Sequence, residues 1–444
     1  MNVSVLSFDK ESRPMFTTYR ALFQSRGTLG FTLAGLLARL PLPMTGIGII
    51  TMLAQLHGSY ALAGAVAATF VLTYALLSPQ VSRLVDRHGQ RRVLPAATAL
   101  SVAGLLLLLA CVTWQAPAWC LFPAAALAGC MPSLSAMVRA RWTALYRDTP
   151  QLQSAFSLET VFDEVTFIAG PPLSVGLSVA LLPQAGPLAA ALLLAIGVFA
   201  LVVQTGSEPP LQADDSTGHQ RVAVIAQADV RLLVLLMVAM GVIVGSVDIV
   251  SVAFAEQAGM PAAASVVLSC YAIGSCAAGL LFGAVNLAAP LHRLLLLGGL
   301  ATAASTVPLL LAGNLFGLAA AVLLAGLFFA PTLIVAMALV ERLVPASQLT
   351  EGMTWLLAGL NVGVALGAVA SGQVVDGLGA SAGFQVALAA GALVLLVALW
   401  GYRRFAQARR SGTSRSNQDS AKATLVIPPA SMNTPCIAPE NASR

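Results

Sequence analysis

Along the chain, apolar runs of about 20 residues alternate with short polar connections, the length a helix needs to cross a bilayer. The runs fall at 29–54, 61–81, 93–113, 117–138, 160–182 and 186–205, then at 231–253, 263–286, 291–312, 316–339, 352–374 and 382–402. In lipid a lone strand would leave its backbone groups unpaired, so each run is read as a helix. The pattern predicts an all-α membrane protein with twelve transmembrane helices in two six-helix bundles, 29–205 and 231–403. Between them, residues 206–230 hold Pro209, Pro210 and several charges but no long apolar run, and read as a linker with room for a short surface helix. Residues 1–28 are mixed and polar and lack the apolar core and cleavage site of a signal peptide, so the first run is expected to stay as a span. The tail 404–444 is rich in Ser, Pro and Asn and reads as disordered.

Composition agrees: 58% of residues are hydrophobic and 9% charged, against about a quarter charged in soluble domains. Charge placement then sets the orientation. Of the 23 Lys and Arg, only Arg39 lies inside a predicted span; the rest fall on one side of the bilayer when the amino terminus is inside. Basic residues mark the cytoplasmic side, so both termini are expected there. The net charge of +5 is therefore an orientation signal and not a nucleic-acid footprint. Arginine outnumbers lysine 21 to 2 and alanine is abundant, which suggests a GC-rich bacterium and its inner membrane. The cysteines and histidines are scattered, with no metal-binding spacing. No GxxxxGK[ST], HExxH or nucleophile elbow appears, so no nucleotide site, cofactor or enzymatic set is predicted, and an ion gradient is the remaining energy source.

One connection stands out. "SRLVDRHGQRRVL" (82–94), between the second and third runs, gathers one acid and four arginines. Orientation alone accounts for the arginines. It does not account for Asp86, which suits a helix start, or for Gly89, which permits a left-handed turn. The stretch resembles the signature of the major facilitator superfamily, a Gly, three residues, then Asp-Arg-x-Gly-Arg-Arg. Asp86, Arg87, Gly89, Arg91 and Arg92 match it; Ser82 replaces the first Gly, and Gln90 shifts the basic pair by one place. Span number, the two halves, the linker and the orientation extend the resemblance over about 28–403. The resemblance implies a secondary transporter that works by alternating access on a small solute, with protons as the usual coupling ion. It also implies a latch: Asp86 meets the start of span eleven near 350–355, and Arg87 and Arg91 seek Glu159, Asp163 or Glu351. The matching loop of the second half, 283–293, keeps Gly283 but lacks the acid.

A second, partial likeness lies in span five. "AGPPLSVGL" (169–177) carries Gly170, Pro171 and Gly176, part of the Gly-Pro motif of the antiporter branch, with Pro172 extra and the final Gly pair missing. Proline bends a helix and small residues admit a neighbour closely, so this stretch implies a bend that seals the halves in an exporter; ordinary kinked packing is the plainer reading.

Ionisable residues at membrane depth are functional candidates. Arg39 lies near the bilayer centre, followed by Pro41 and Pro43, and is suited to an anionic group or a carboxylate partner. Asp248 in span seven is a candidate proton carrier, or a contact for a cationic solute. Glu159, Asp163 and Glu164 open span five; the first two share a helix face, Glu164 lies deepest, and Arg139 and Arg141 are expected to pair with them. Gating, ion pairing and proton coupling all remain open for this group. The expected function is a proton-coupled exporter of a small solute or drug, working as a monomer in the lipid bilayer. The alternatives are uptake of a small, possibly anionic, metabolite, and a membrane sensor that kept the fold without transport.

Overall fold

In the computed structural model, which describes residues 15–25, 27–57, 60–211, 223–260, 263–285 and 289–424, the apolar runs are helices, and no strand occurs among the described residues. The first set is α1 (Met15–Leu22), α2 (Thr28–Arg39), α3 (Pro41–His57), α4 (Tyr60–His88), α5 (Gln90–Thr113), α6 (Leu121–Ala128), α7 (Leu134–Tyr146), α8 (Gln151–Ala180) and α9 (Ala185–Val203). The second set is α10 (Ala228–Gln257), α11 (Ala263–Ala284), α12 (Leu291–Ser305), α13 (Val307–Leu310), α14 (Leu315–Leu343), α15 (Leu349–Leu378) and α16 (Ala380–Thr424).

Among the described residues, 10 helical segments are long and apolar enough to cross a membrane. The other two predicted spans depart from that form for local reasons. Run 117–138 is interrupted: α6 stops at Ala128, and helix resumes only at Leu134. Gly129 and Pro132 lie in the gap, and a Cβ on Gly129 would stand 2.7 Å from Thr73 Cβ and 2.8 Å from the Phe70 carbonyl. Run 160–182 belongs to α8, a single 30-residue helix that starts earlier than predicted and holds Glu159, Asp163 and Glu164. Span one is divided between α2 and α3 around Leu40, where Pro41 and Pro43, on either side of Leu42, remove two backbone donors.

Two boundaries move. α1 is a helix within the polar amino-terminal segment, and α16 runs on past residue 404, where disorder is expected, to Thr424. Of the linker, only its ends are described: 3₁₀ turns at Thr205–Ser207 and Val224–Ala226. Residues 1–14, 212–222 and 425–444 lie outside the described residues.

A single cluster of buried apolar side chains runs through both sets, which meet along α4 against α15 and α8 against α11. Within the second set, α10 and α15 touch backbone to backbone. Gly241 faces the Leu360 carbonyl and Gly363 Cα, Gly363 faces the Val238 carbonyl, and Gly245 and Gly367 face the Val364 and Val242 carbonyls. Small residues at this spacing let two helices approach closely enough for Cα–H···O contacts. α15 thereby connects the second set's core to the surface where the two sets meet.

Candidate functional site

The arginine-rich connection ends one face of the molecule, here called the basic face. Gly89 takes φ +88° between α4 and α5, a conformation glycine adopts without steric cost. The turn sets Asp86 in the last turn of α4, against the amino-terminal end of α15. Asp86 Oδ1 accepts from Thr350 N at 3.3 Å and Oδ2 from Glu351 N at 2.8 Å. These amides have no partner inside their own helix, and the positive end of the helix dipole favours the carboxylate. One turn deeper, Ser82 Oγ and Thr354 Oγ1 are 2.8 Å apart and both buried. Arg147 Nε and Glu341 Oε1, 3.1 Å apart, add an ion pair between the sets.

Both departures from the family signature have partners. Ser82, in place of glycine, supplies the hydroxyl to Thr354. Gln90 is buried, donates to the Met137 carbonyl at 3.0 Å and accepts from Arg141 Nε at 2.8 Å. Arg141 also donates to the Leu201 and Gln204 carbonyls and to Ser207 Oγ, capping the end of α9. It forms no pair with the acids of α8, contrary to expectation. The arginines of the turn also fall differently from the expected pattern. Arg87, Arg91 and Arg92 are exposed, and Glu159 and Asp163 have other partners. Glu351 lies 3.9 Å from Arg83 and within electrostatic reach of Arg87, while its Oε1 accepts from Val224 N at the end of the linker. Arg91 gives its backbone N–H to Glu208, 2.9 Å away at the linker's other end.

Deeper in the first set, four charges form a closed group. Arg39 is 5% exposed and is ion-paired to both Glu159 and Asp163, the latter at 2.9 Å. Arg139 pairs with Asp163 at 2.8 Å, and Ser135 Oγ donates to the same carboxylate at 2.8 Å. Trp142 Nε1 donates to Glu159 Oε1 at 2.7 Å, its ring held edge-on by Phe31 at 4.8 Å. Two cations and two anions leave no net charge. That balance is what a buried group requires, because an unpaired ion there costs several kcal/mol.

Two acids stay outside this group. Glu164 Oε1 accepts from Ser275 Oγ at 2.8 Å, joining α8 to α11 across the two sets. Asp248 on α10 lies within electrostatic reach of Glu164, and both carboxylates are felt by buried Tyr271, whose ring packs 5.8 Å from Phe329. Among the described residues neither acid forms an ion pair.

In α8, Gly170 packs against α3 of its own set: a Cβ there would stand 2.8 Å from Pro43 Cγ. Gly176 faces open space. The close contact further along is made by Ser174, whose hydroxyl donates to the Met44 carbonyl at 2.9 Å. Pro171 and Pro172 lie inside a helix that continues past them to Ala180.

Sequence reasoning missed Ser82, Gln90, Ser135, Trp142 and Ser275. The first two were detectable as departures from a signature; the others are common residues whose partners lie far away in sequence. No group of three or more metal-ligating side chains occurs among the described residues.

A family model described as Major Facilitator Superfamily matches residues 28–285 and 233–434. No curated protein matches the chain in sequence. Among solved structures, the E. coli fucose:proton symporter FucP is 15% identical, with a TM-score of 0.63 over 84% of this chain and 98% of its own. A bacterial homologue of the iron transporter ferroportin, in an outward-facing state, is 16% identical, with a TM-score of 0.66 over 85% and 99%. The human organic anion transporter MFSD10 is 14% identical, with a TM-score of 0.61 over 88% and 100%. At these identities the likeness shows the fold.

Proposed function

The chain belongs to the major facilitator superfamily, and on that premise we propose that it is a secondary active transporter that exports a small solute in exchange for protons. The observation that carries this reading is the bridge from Glu164 to Ser275 across the two sets, with Asp248 within electrostatic reach and no cation among the described residues paired to either acid. A carboxylate in that position gains a proton when the site faces one side and loses it when the site faces the other. With the basic face cytoplasmic, the hydrogen bonds of Asp86, Ser82 and Arg147 hold the inner side shut, as an outward-facing state requires. Asp86, Gly89 and the first turn of α15 then act as the latch, opened and remade once per cycle. The basic residues on that face support an inner membrane with both termini in the cytoplasm.

The same chemistry speaks to the solute. Uptake of an anion rests on a free Arg39, but its guanidinium is held by Glu159 and Asp163. Glu164 and Asp248, beside Tyr271 and Phe329, favour a cationic or neutral amphipathic solute. The Gly170–Pro171 part of the span-five motif supports export. The fucose:proton symporter FucP shares the fold, so the fold by itself does not set direction.

The test is proton movement in sealed liposomes holding the purified protein. A pH gradient is imposed, and cationic, neutral and anionic compounds are added singly. We expect an organic cation to dissipate the gradient only with protein present, and Glu164→Gln or Asp248→Asn to abolish that response while the protein stays folded. A solute that moves in the same direction as the proton would overturn export. Full coupling in both variants would remove these acids from the proton path.

A further inference from the structure

We propose that Tyr19, Gln153 and Ser154 form a second inner-side clasp, which holds the carboxyl-terminal end of α11 as Asp86 holds the amino-terminal end of α15. This inference rests on the alternating-access reading above. The last turn of a helix presents carbonyls with no partner in the helix, and these carry the negative end of its dipole. At the end of α11 they are met by side chains of the other set. Gln153 Nε2 donates to the carbonyls of Phe282 and Val285, at 2.7 and 3.1 Å. Ser154 Oγ donates to Gly283 at 2.5 Å, and Tyr19 OH to Leu280 at 2.8 Å. Gln153 and Ser154 belong to the first turn of α8, and Tyr19 to α1, outside the predicted spans. Burial pushes the Tyr19 hydroxyl up, so it remains a donor at any working pH.

The arrangement explains the incomplete signature in the second half. Gly283 is retained although the acid of that loop is gone, and a Cβ on Gly283 would stand 2.5 Å from Tyr19 Oη and 2.6 Å from Ser157 Oγ. Glycine is required there for close approach of the two helices, independently of any acid. The two closures are complementary: an anionic acceptor meets a positive helix end at α15, and neutral donors meet a negative helix end at α11. A neutral clasp is also indifferent to ionic strength, unlike exposed ion pairs.

The experiment reads the distance across the basic face without a transported solute. Spin labels are placed at exposed Thr149 and Arg293, one in each set, in a background lacking native cysteines. The reference chain should show mainly the short distance. Gln153→Ala with Ser154→Ala should raise the open-to-closed ratio roughly ten-fold, the size expected for losing buried hydrogen bonds, and Tyr19→Phe less. Gln153→Glu supplies a readout that a merely structural role would not move. An ionised carboxylate repels the carbonyls, whereas a protonated one donates to them. At neutral pH, where Asp86 and Glu341 stay ionised, the face should therefore open further in Gln153→Glu than in Gln153→Ala. If these variants stay closed while Asp86→Asn opens the face, the clasp is overturned and the latch stands. If Asp86→Asn also leaves the distance unchanged, the two-state reading beneath both fails.

Discussion

At the scale of single residues, four charges at depth in the first set form a neutral group, and Glu164 and Asp248 stand outside it. Arg39 was legible as an anomaly, a cation near the bilayer centre in a chain that is 9% charged. Its partners were not legible, because Glu159 and Asp163 lie some 120 positions away and only the packing of α2 against α8 brings them close. The pairing makes a stability prediction. Arg39→Met leaves Glu159 buried without its cation and should cost about 3–5 kcal/mol, as broken buried pairs do. Arg39→Met with Glu159→Gln removes one charge of each sign, keeps an acceptor for Trp142, and leaves Asp163 paired with Arg139. Thermal unfolding in detergent should rank the double variant above either single one. A double variant as unstable as the singles would mean that the ion pair is not what Arg39 supplies.

At the scale of elements, hydrophobic runs located the helices well because membrane helices must be apolar throughout. They failed where a helix is not uniform. α6 and α7 part at Gly129 and Pro132, α8 carries acids inside its length, and α16 continues through a polar sequence with no apolar signal. Nor did the sequence rank the glycines. Gly176 belonged to a recognised pattern yet faces open space, while Gly363, in no pattern, touches the Val238 carbonyl and Gly241 Cα. Gly176→Ala should therefore be neutral or stabilising by up to about 1 kcal/mol, through helix propensity alone. Gly363→Ala should destabilise by about 1–3 kcal/mol, because α10 and α15 must separate. Equal melting temperatures for the two variants would contradict the backbone contact.

At the scale of the whole molecule, the state is decided where helix ends of one set meet side chains of the other. The position of Asp86 against α15 could be anticipated from the signature, whereas the donors at the end of α11 are ordinary polar residues with no pattern to mark them. Asp86→Asn keeps the shape and removes the charge. Hydrogen bonds to a charged group are worth about 1.5–3 kcal/mol and neutral ones about 1. The inward-open population should accordingly rise several-fold, seen as faster labelling of a cysteine placed at buried Ser82 from the basic side. Unchanged labelling would reduce the loop to an orientation signal.

The neutrality of the Arg39–Glu159–Asp163–Arg139 group bears on how the protein responds to voltage. A membrane potential does work of about 2.3 kcal/mol per elementary charge per 100 mV on any charge carried across it. Two cations and two anions that move together present no net charge to that field, so rocking the first bundle costs almost no electrical work despite four ions at depth. Under the proposed proton exchange, Glu164, Asp248 and the cargo would then be what the potential acts on, and a transport current would count how many of those carboxylates are protonated on each stroke.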